Sequence, residues 1–139
     1  MKTRIIISSV LFFLSFPPFN FWYLIFPSLF FFYSGILSSS KPFLSGLVFG
    51  AISFGVILFG IQSMGYEAWI PLSILMGLLY GFYGKLFKFI AVKVNNNFFI
   101  LIGIISAFDL LRAYFPFGGF PWGSTSTAVS YTHLRAHET

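Results

Sequence analysis

The chain has 139 residues, of which 58% are hydrophobic and 8% charged, with Phe alone at 22 positions; a soluble domain carries about a quarter charged residues. So apolar a composition excludes a water-solvated globule and points to an all-α integral membrane protein whose main solvent is lipid. The formal net charge of +5 sits on single Lys and Arg residues at the ends of apolar runs, which argues against nucleic acid as a partner, and the absence of Cys excludes disulfides, thiolate metal sites and a Cys nucleophile within the chain.

Five apolar segments approach the roughly 20 residues that span a bilayer. The first, residues 4–16, follows Lys2 and Arg4 and stops at Pro17-Pro18. Its start has the charge pattern of a signal peptide. However, Pro17-Pro18-Phe19-Asn20-Phe21-Trp22 offers no small-residue cleavage motif, so the segment reads as a retained membrane helix. The second, residues 21–37, has Trp22 and Tyr23 at its start, where an interfacial aromatic belt is expected. A polar loop, Ser38-Ser39-Ser40-Lys41-Pro42, separates it from the third, residues 43–64. Gly65-Tyr66-Glu67 reads as the next break. The fourth segment, residues 68–92, carries Pro71 in what should be its first turn. Lys93-Val94-Asn95-Asn96-Asn97 is a loop, and residues 98–114 make the fifth segment.

The basic residues sort the ends of these segments. Lys2 and Arg4 precede the first, Lys41 follows the second, and Lys85, Lys88 and Lys93 close the fourth. The loops after the first and third have no Lys or Arg, and the latter has Glu67. By the positive-inside rule this alternation implies a cytoplasmic N-terminus and puts the end of the fifth helix outside. Glycines mark packing faces: Gly46 and Gly50 lie four apart on the third segment, and Gly77, Gly81 and Gly84 share a face of the fourth. Such spacing lets membrane helices approach closely.

Residues 1–123 thus read as a multi-helix transmembrane region and 124–139 as a polar tail. Both histidines, His133 and His137, lie in that tail. Their spacing could form a helical metal pair. The ending also resembles a run-on translation of sequencing adapter, and that reading is preferred: residues from about Ser130 are expected to be absent from the natural protein, and a tail with no packing partner to be disordered. No metal or cofactor is expected.

In or near the membrane the polar candidates are Asp109, Arg112, Glu67, Gln62 and Lys85. An intramembrane ionisable residue is a functional hypothesis by default. Asp109 and Arg112 stand i, i+3 on one helix and can pair, which lowers their desolvation cost. Next comes Ala113-Tyr114-Phe115-Pro116-Phe117-Gly118-Gly119-Phe120-Pro121-Trp122-Gly123. Its prolines and glycines cannot continue a helix, and its uncharged aromatics suit a re-entrant or interfacial loop. No Ser-His-Asp set, paired-carboxylate constellation or phosphate loop is visible.

Asp109-Leu110-Leu111-Arg112 followed by Gly119-Phe120-Pro121-Trp122 resembles the Glu-x-x-Arg … Gly-Phe-Pro-Trp signature of bacterial apolipoprotein N-acyltransferases. The start, Leu14-Ser15-Phe16-Pro17-Pro18-Phe19-Asn20-Phe21-Trp22, is similar to that family's first helical break, and the resemblance runs over residues 4–123. The chain departs from the family in carrying Asp109 where Glu is usual. It also reads Gly60-Ile61-Gln62-Ser63 where an aromatic pair is frequent. The resemblance implies a multi-pass protein of the bacterial inner membrane. It further implies that a periplasmic nitrilase-like domain with a Glu-Lys-Cys set moves an acyl chain from phospholipid, through a Cys thioester, to the amino group of a lipoprotein's N-terminal Cys. None of that set is in this sequence, so no catalytic residue is assigned and the chain alone is expected to be inactive. Asp109, Arg112, Gly119, Phe120, Pro121 and Trp122 are the structural or lipid-interface candidates. The expected partners are membrane phospholipid and, through the absent domain, a lipoprotein. The alternative is a complete small non-enzymatic membrane protein, such as a transporter subunit or assembly factor.

Overall fold

The computed structural model describes residues 2–59 and 66–115. They form five α-helices and no strand: α1 (Lys2–Leu14), α2 (Ile25–Leu37), α3 (Pro42–Ile57), α4 (Tyr66–Lys93) and α5 (Phe98–Tyr114), with a 3-10 turn at Trp22–Leu24 ahead of α2. The fifth helix matches the sequence expectation residue for residue. The asparagines explain why. Asn95 and Asn96 adopt left-handed φ of 50° and 55°, a conformation Asn tolerates better than most residues. The Asn96 amide bonds back to the Ala91 carbonyl at 2.8 Å, closing α4. Asn97 then opens α5, its side-chain oxygen accepting from the amides of Phe99 and Ile100.

Other boundaries differ from the expectation. Tyr66 and Glu67 are not a break but the first turn of α4, where a carboxylate is favoured by the helix dipole. Pro71 therefore lies inside that helix, not in its first turn, and cannot supply an amide to the Glu67 carbonyl. The expected second helix is split, because residues 22–24 wind as a 3-10 turn and the α-helix starts only at Ile25. The third α-helix is described from Pro42 to Ile57, and its expected end at Met64 lies outside the described residues. At about 1.5 Å per residue, the 28 residues of α4 reach about 42 Å and the 16 of α3 about 24 Å. Among the described residues, one helix is long and apolar enough to cross a bilayer on its own: the stretch Trp69–Lys93 of α4. The runs Thr3–Leu14, Trp22–Leu37 and Pro42–Ile57 are apolar but shorter.

The α3–α4 hairpin is the centre of the bundle, and its glycines let the two backbones touch. A Cβ on Gly50 would lie 2.7 Å from the Met76 carbonyl oxygen and 3.0 Å from the Cα of Gly77. One on Gly46 would run into the Tyr80 carbonyl and the Cα of Gly81. The expected small-residue faces thus pack on each other. α1 packs on α2 and α3. Between α1 and α2 the hydroxyls cross over: Ser8 donates to the Ser28 carbonyl and Ser28 to the Ser8 carbonyl, both at 2.9 Å.

Large apolar side chains occupy both the inside and the outside. Phe12, Phe32, Phe49, Phe54 and Phe87 are buried, while Phe26, Phe30, Phe82, Phe89 and Phe99 are exposed. The two ends of the bundle differ in charge. At one, Arg4 donates to the Ser38 hydroxyl and Lys88 to the Ser39 carbonyl, beside Lys41, Lys85 and Lys93. At the other, the Trp69 indole donates to the Gly55 carbonyl at 2.9 Å.

Candidate functional site

The ionisable pair on α5 faces the aromatic interior. Arg112 and Asp109 are one turn apart, and the Nη2 to Oδ1 distance of 3.6 Å makes this a charge contact rather than a hydrogen bond. The Arg112 side chain is 2% exposed and that of Asp109 25%. The guanidinium lies over two rings, with its central carbon 5.4 Å from the Phe54 centroid and 6.0 Å from that of Tyr80. Each such contact contributes about 1–2 kcal/mol when water is excluded.

Phe108, next to Asp109, fixes α5 against α4. Its ring stacks on Tyr83 at 3.9 Å and 16° and meets Tyr80 edge-on at 5.3 Å. The Tyr83 hydroxyl in turn shares a 2.9 Å hydrogen bond with that of Tyr33 on α2. Phe12, Tyr33, Tyr80, Tyr83, Phe108 and Asp109 thereby enclose a small void of about 10 Å³, at the lower limit for one water molecule. The arrangement can hold a carboxylate and a guanidinium within an apolar bundle and leave a narrow polar seam between α2, α4 and α5. Among the described residues no group of three His, Cys, Asp or Glu side chains could hold a metal ion.

The sequence expectation that Asp109 and Arg112 pair is met. What it missed are Phe54 and Tyr80, the rings that receive Arg112, and the aromatic row of α4 to which Tyr80 belongs. Tyr80, Tyr83 and Phe87 follow an i, i+3, i+7 pattern that places them on one face of α4. In a chain with 22 Phe that pattern does not stand out. Gly119, Phe120, Pro121 and Trp122, the other candidates, lie outside the described residues, as do Gln62 and the tail histidines.

Over residues 8–136 the chain matches the family described as the apolipoprotein N-acyltransferase N-terminal domain. The chain belongs to this family. It is 29% identical over 133 residues to the apolipoprotein N-acyltransferase of Aquifex aeolicus (strain VF5), a match covering 84% of this chain and 27% of that protein. The chain therefore spans about a quarter of the length of that curated relative. No solved structure matches. The family assignment agrees with the resemblance drawn from Asp109, Arg112 and the Gly119-Phe120-Pro121-Trp122 run, and it favours the acyltransferase reading over a transporter subunit or assembly factor.

Proposed function

We propose that this chain is the membrane-embedded N-terminal part of an apolipoprotein N-acyltransferase, crossing the bacterial inner membrane several times with its N-terminus in the cytoplasm. The family match carries the enzyme class. The observation that carries the membrane setting is the exterior: aromatic and branched side chains cover the outside of α1, α2, α4 and α5, a patch far beyond what a soluble monomer exposes. The gathering of Arg4, Lys41, Lys85, Lys88 and Lys93 at one end supports a cytoplasmic assignment of that end. Because α1, α2 and α3 are short, each crosses only together with the residues that flank it.

In this reading the acyl chain comes from a membrane phospholipid and is delivered to the amino group of a lipoprotein's N-terminal Cys. The chain holds no Cys, so the thiol that would carry the acyl group belongs to another part of the longer protein. The bundle anchors that part and offers phospholipid a path to it, and the Asp109–Arg112 pair holds the outer end of α5 in place.

Since the 139-residue chain has no Cys, single substitutions in it report topology without background. A membrane-impermeant maleimide added from outside is expected to label Glu67→Cys and not Asn96→Cys, both exposed positions; the opposite pattern overturns the orientation. For function, residues 8–123 replace the corresponding stretch of the Aquifex aeolicus relative. The chimera is expected to retain N-acylation of an apolipoprotein, while the 139-residue chain alone yields no product. A chimera that inserts in the membrane but transfers nothing, or transfer by the chain alone, sinks the assignment.

A further inference from the structure

Beyond Gly84, which packs against the Pro42 carbonyl, α4 continues past the start of α3 for nine more residues. This overhang and the α2–α3 loop form an open groove of about 610 Å³ lined by Ser40, Pro42, Lys85, Lys88, Phe89, Val92 and Lys93. Three of its seven walls are cationic. Lys88 is half-buried and anchored by donating to the Ser39 carbonyl. The Lys93 ammonium sits 5.8 Å from the Phe89 ring centroid, and Lys85 is exposed. No carboxylate faces this cluster among the described residues. Glu67 stands 18 residues earlier on α4, about 27 Å away along the helix, and Asp109 is directed to Arg112.

Apart from Ser40 the other walls, Pro42, Phe89 and Val92, are apolar, and on α4 the apolar surface continues. At about 100° per residue, Lys85, Phe89 and Val92 fall on the same face of α4 as Ile74, Leu78 and Phe82, all exposed. That face is opposite Met76, Tyr80, Tyr83 and Phe87, which are buried. A cationic mouth thus opens onto an uninterrupted apolar track along the long helix. Free phosphate or an acidic peptide would use the lysines and leave the track empty. A phospholipid uses both.

We propose that the Lys85–Lys88–Lys93 groove binds the headgroup phosphate of an anionic phospholipid, whose acyl chain lies along Phe82, Leu78 and Ile74. The proposal rests on the membrane reading above and adds a lipid site at the cytoplasmic end, away from the outer end, where acyl transfer is placed. Juxtamembrane Lys and Arg are attracted to anionic headgroups, so the charge alone favours an anionic over a zwitterionic lipid by about tenfold or more.

The test uses the full 139-residue chain in phosphatidylcholine nanodiscs, titrated with phosphatidylglycerol of the same acyl length and read by displacement of a fluorescent lipid. Phosphatidylglycerol is expected to bind at least about tenfold more tightly than phosphatidylcholine. The double variant K85Q/K93Q should lose that preference. K41Q, which removes a charge from the same end but not from the groove, should keep it. Lys88 is left in place because it ties α4 to the loop, and a melting curve of each variant confirms the fold. Equal binding of the two lipids, an unaffected double variant, or an equal loss in K41Q overturns the site. Displacement by millimolar inorganic phosphate overturns the lipid in favour of a free anion. Flotation with pure phosphatidylcholine vesicles separates the two levels: a chain that floats but shows no preference defeats the groove, whereas one that does not float defeats the membrane reading itself.

Discussion

Gly46→Ala is expected to destabilise the bundle by about 3 kcal/mol or more, a loss in the range of severe core disruption. The added methyl would meet the Tyr80 carbonyl, with the carbonyl carbon 2.7 Å and the Gly81 Cα 3.1 Å from it. All three neighbours are backbone, so no side chain can rotate away, and the helices must separate along the contact that also seats Gly50 on Gly77. Gly55→Ala and Gly103→Ala provide the contrast. Nothing lies within 4 Å of a Cβ at either site, so these changes are expected to be neutral or to stabilise by about 0.5–1 kcal/mol through helix propensity. Equilibrium unfolding in a mild detergent by titrated SDS measures all three. A Gly46→Ala variant as stable as Gly55→Ala would show that the α3–α4 contact is looser than described.

The second large effect is at the α5 pair. Arg112→Met keeps the side-chain length and removes the charge, leaving the Asp109 carboxylate beside Phe108 without its counter-charge. Breaking one side of a buried pair typically costs about 3–5 kcal/mol. Partial exposure of Asp109 lowers this, so a loss of about 2–4 kcal/mol is expected, including the lost contacts to Phe54 and Tyr80. The double variant Asp109→Asn with Arg112→Met should recover part of that loss, because no charge is then left inside. A double-mutant cycle measures the difference. Strict additivity of the two single changes would mean that the charges do not interact.

Where the chain is punctuated by residues with strong backbone preferences, the structure was legible from sequence. Asn95-Asn96-Asn97 end one helix and begin the next, and α5 follows residue for residue. The glycines of α3 and α4 announced their contact because only a missing side chain permits it. The aromatic interior was not legible. In water, burial sorts Phe from Lys. Here the exterior carries large apolar side chains as the interior does, so nothing in the identity of Phe49 and Phe54 separates them from the outward Phe26 and Phe30. The start of α4 was missed for a related reason: Tyr66-Glu67 reads as a polar gap, yet an acidic residue is also what a helix N-terminus favours. The i, i+3 rule gave the Asp109–Arg112 contact but not the rings that hold it, which come from helices far away in sequence.

The crossed serines of α1 and α2 have a bearing on uniqueness. Two apolar helices lying side by side have many nearly equivalent alignments, since sliding one by a turn replaces one Phe or Ile contact with another. Ser8 and Ser28 remove that degeneracy. Each hydroxyl reaches the other's own carbonyl only at a single axial offset. A hydroxyl displaced from it can fall back on the carbonyl four residues earlier in its own helix, so each crossed bond contributes only about 0.6 kcal/mol. The pair therefore acts less as an adhesive than as a vernier, selecting one alignment from a set that packing alone would leave almost level.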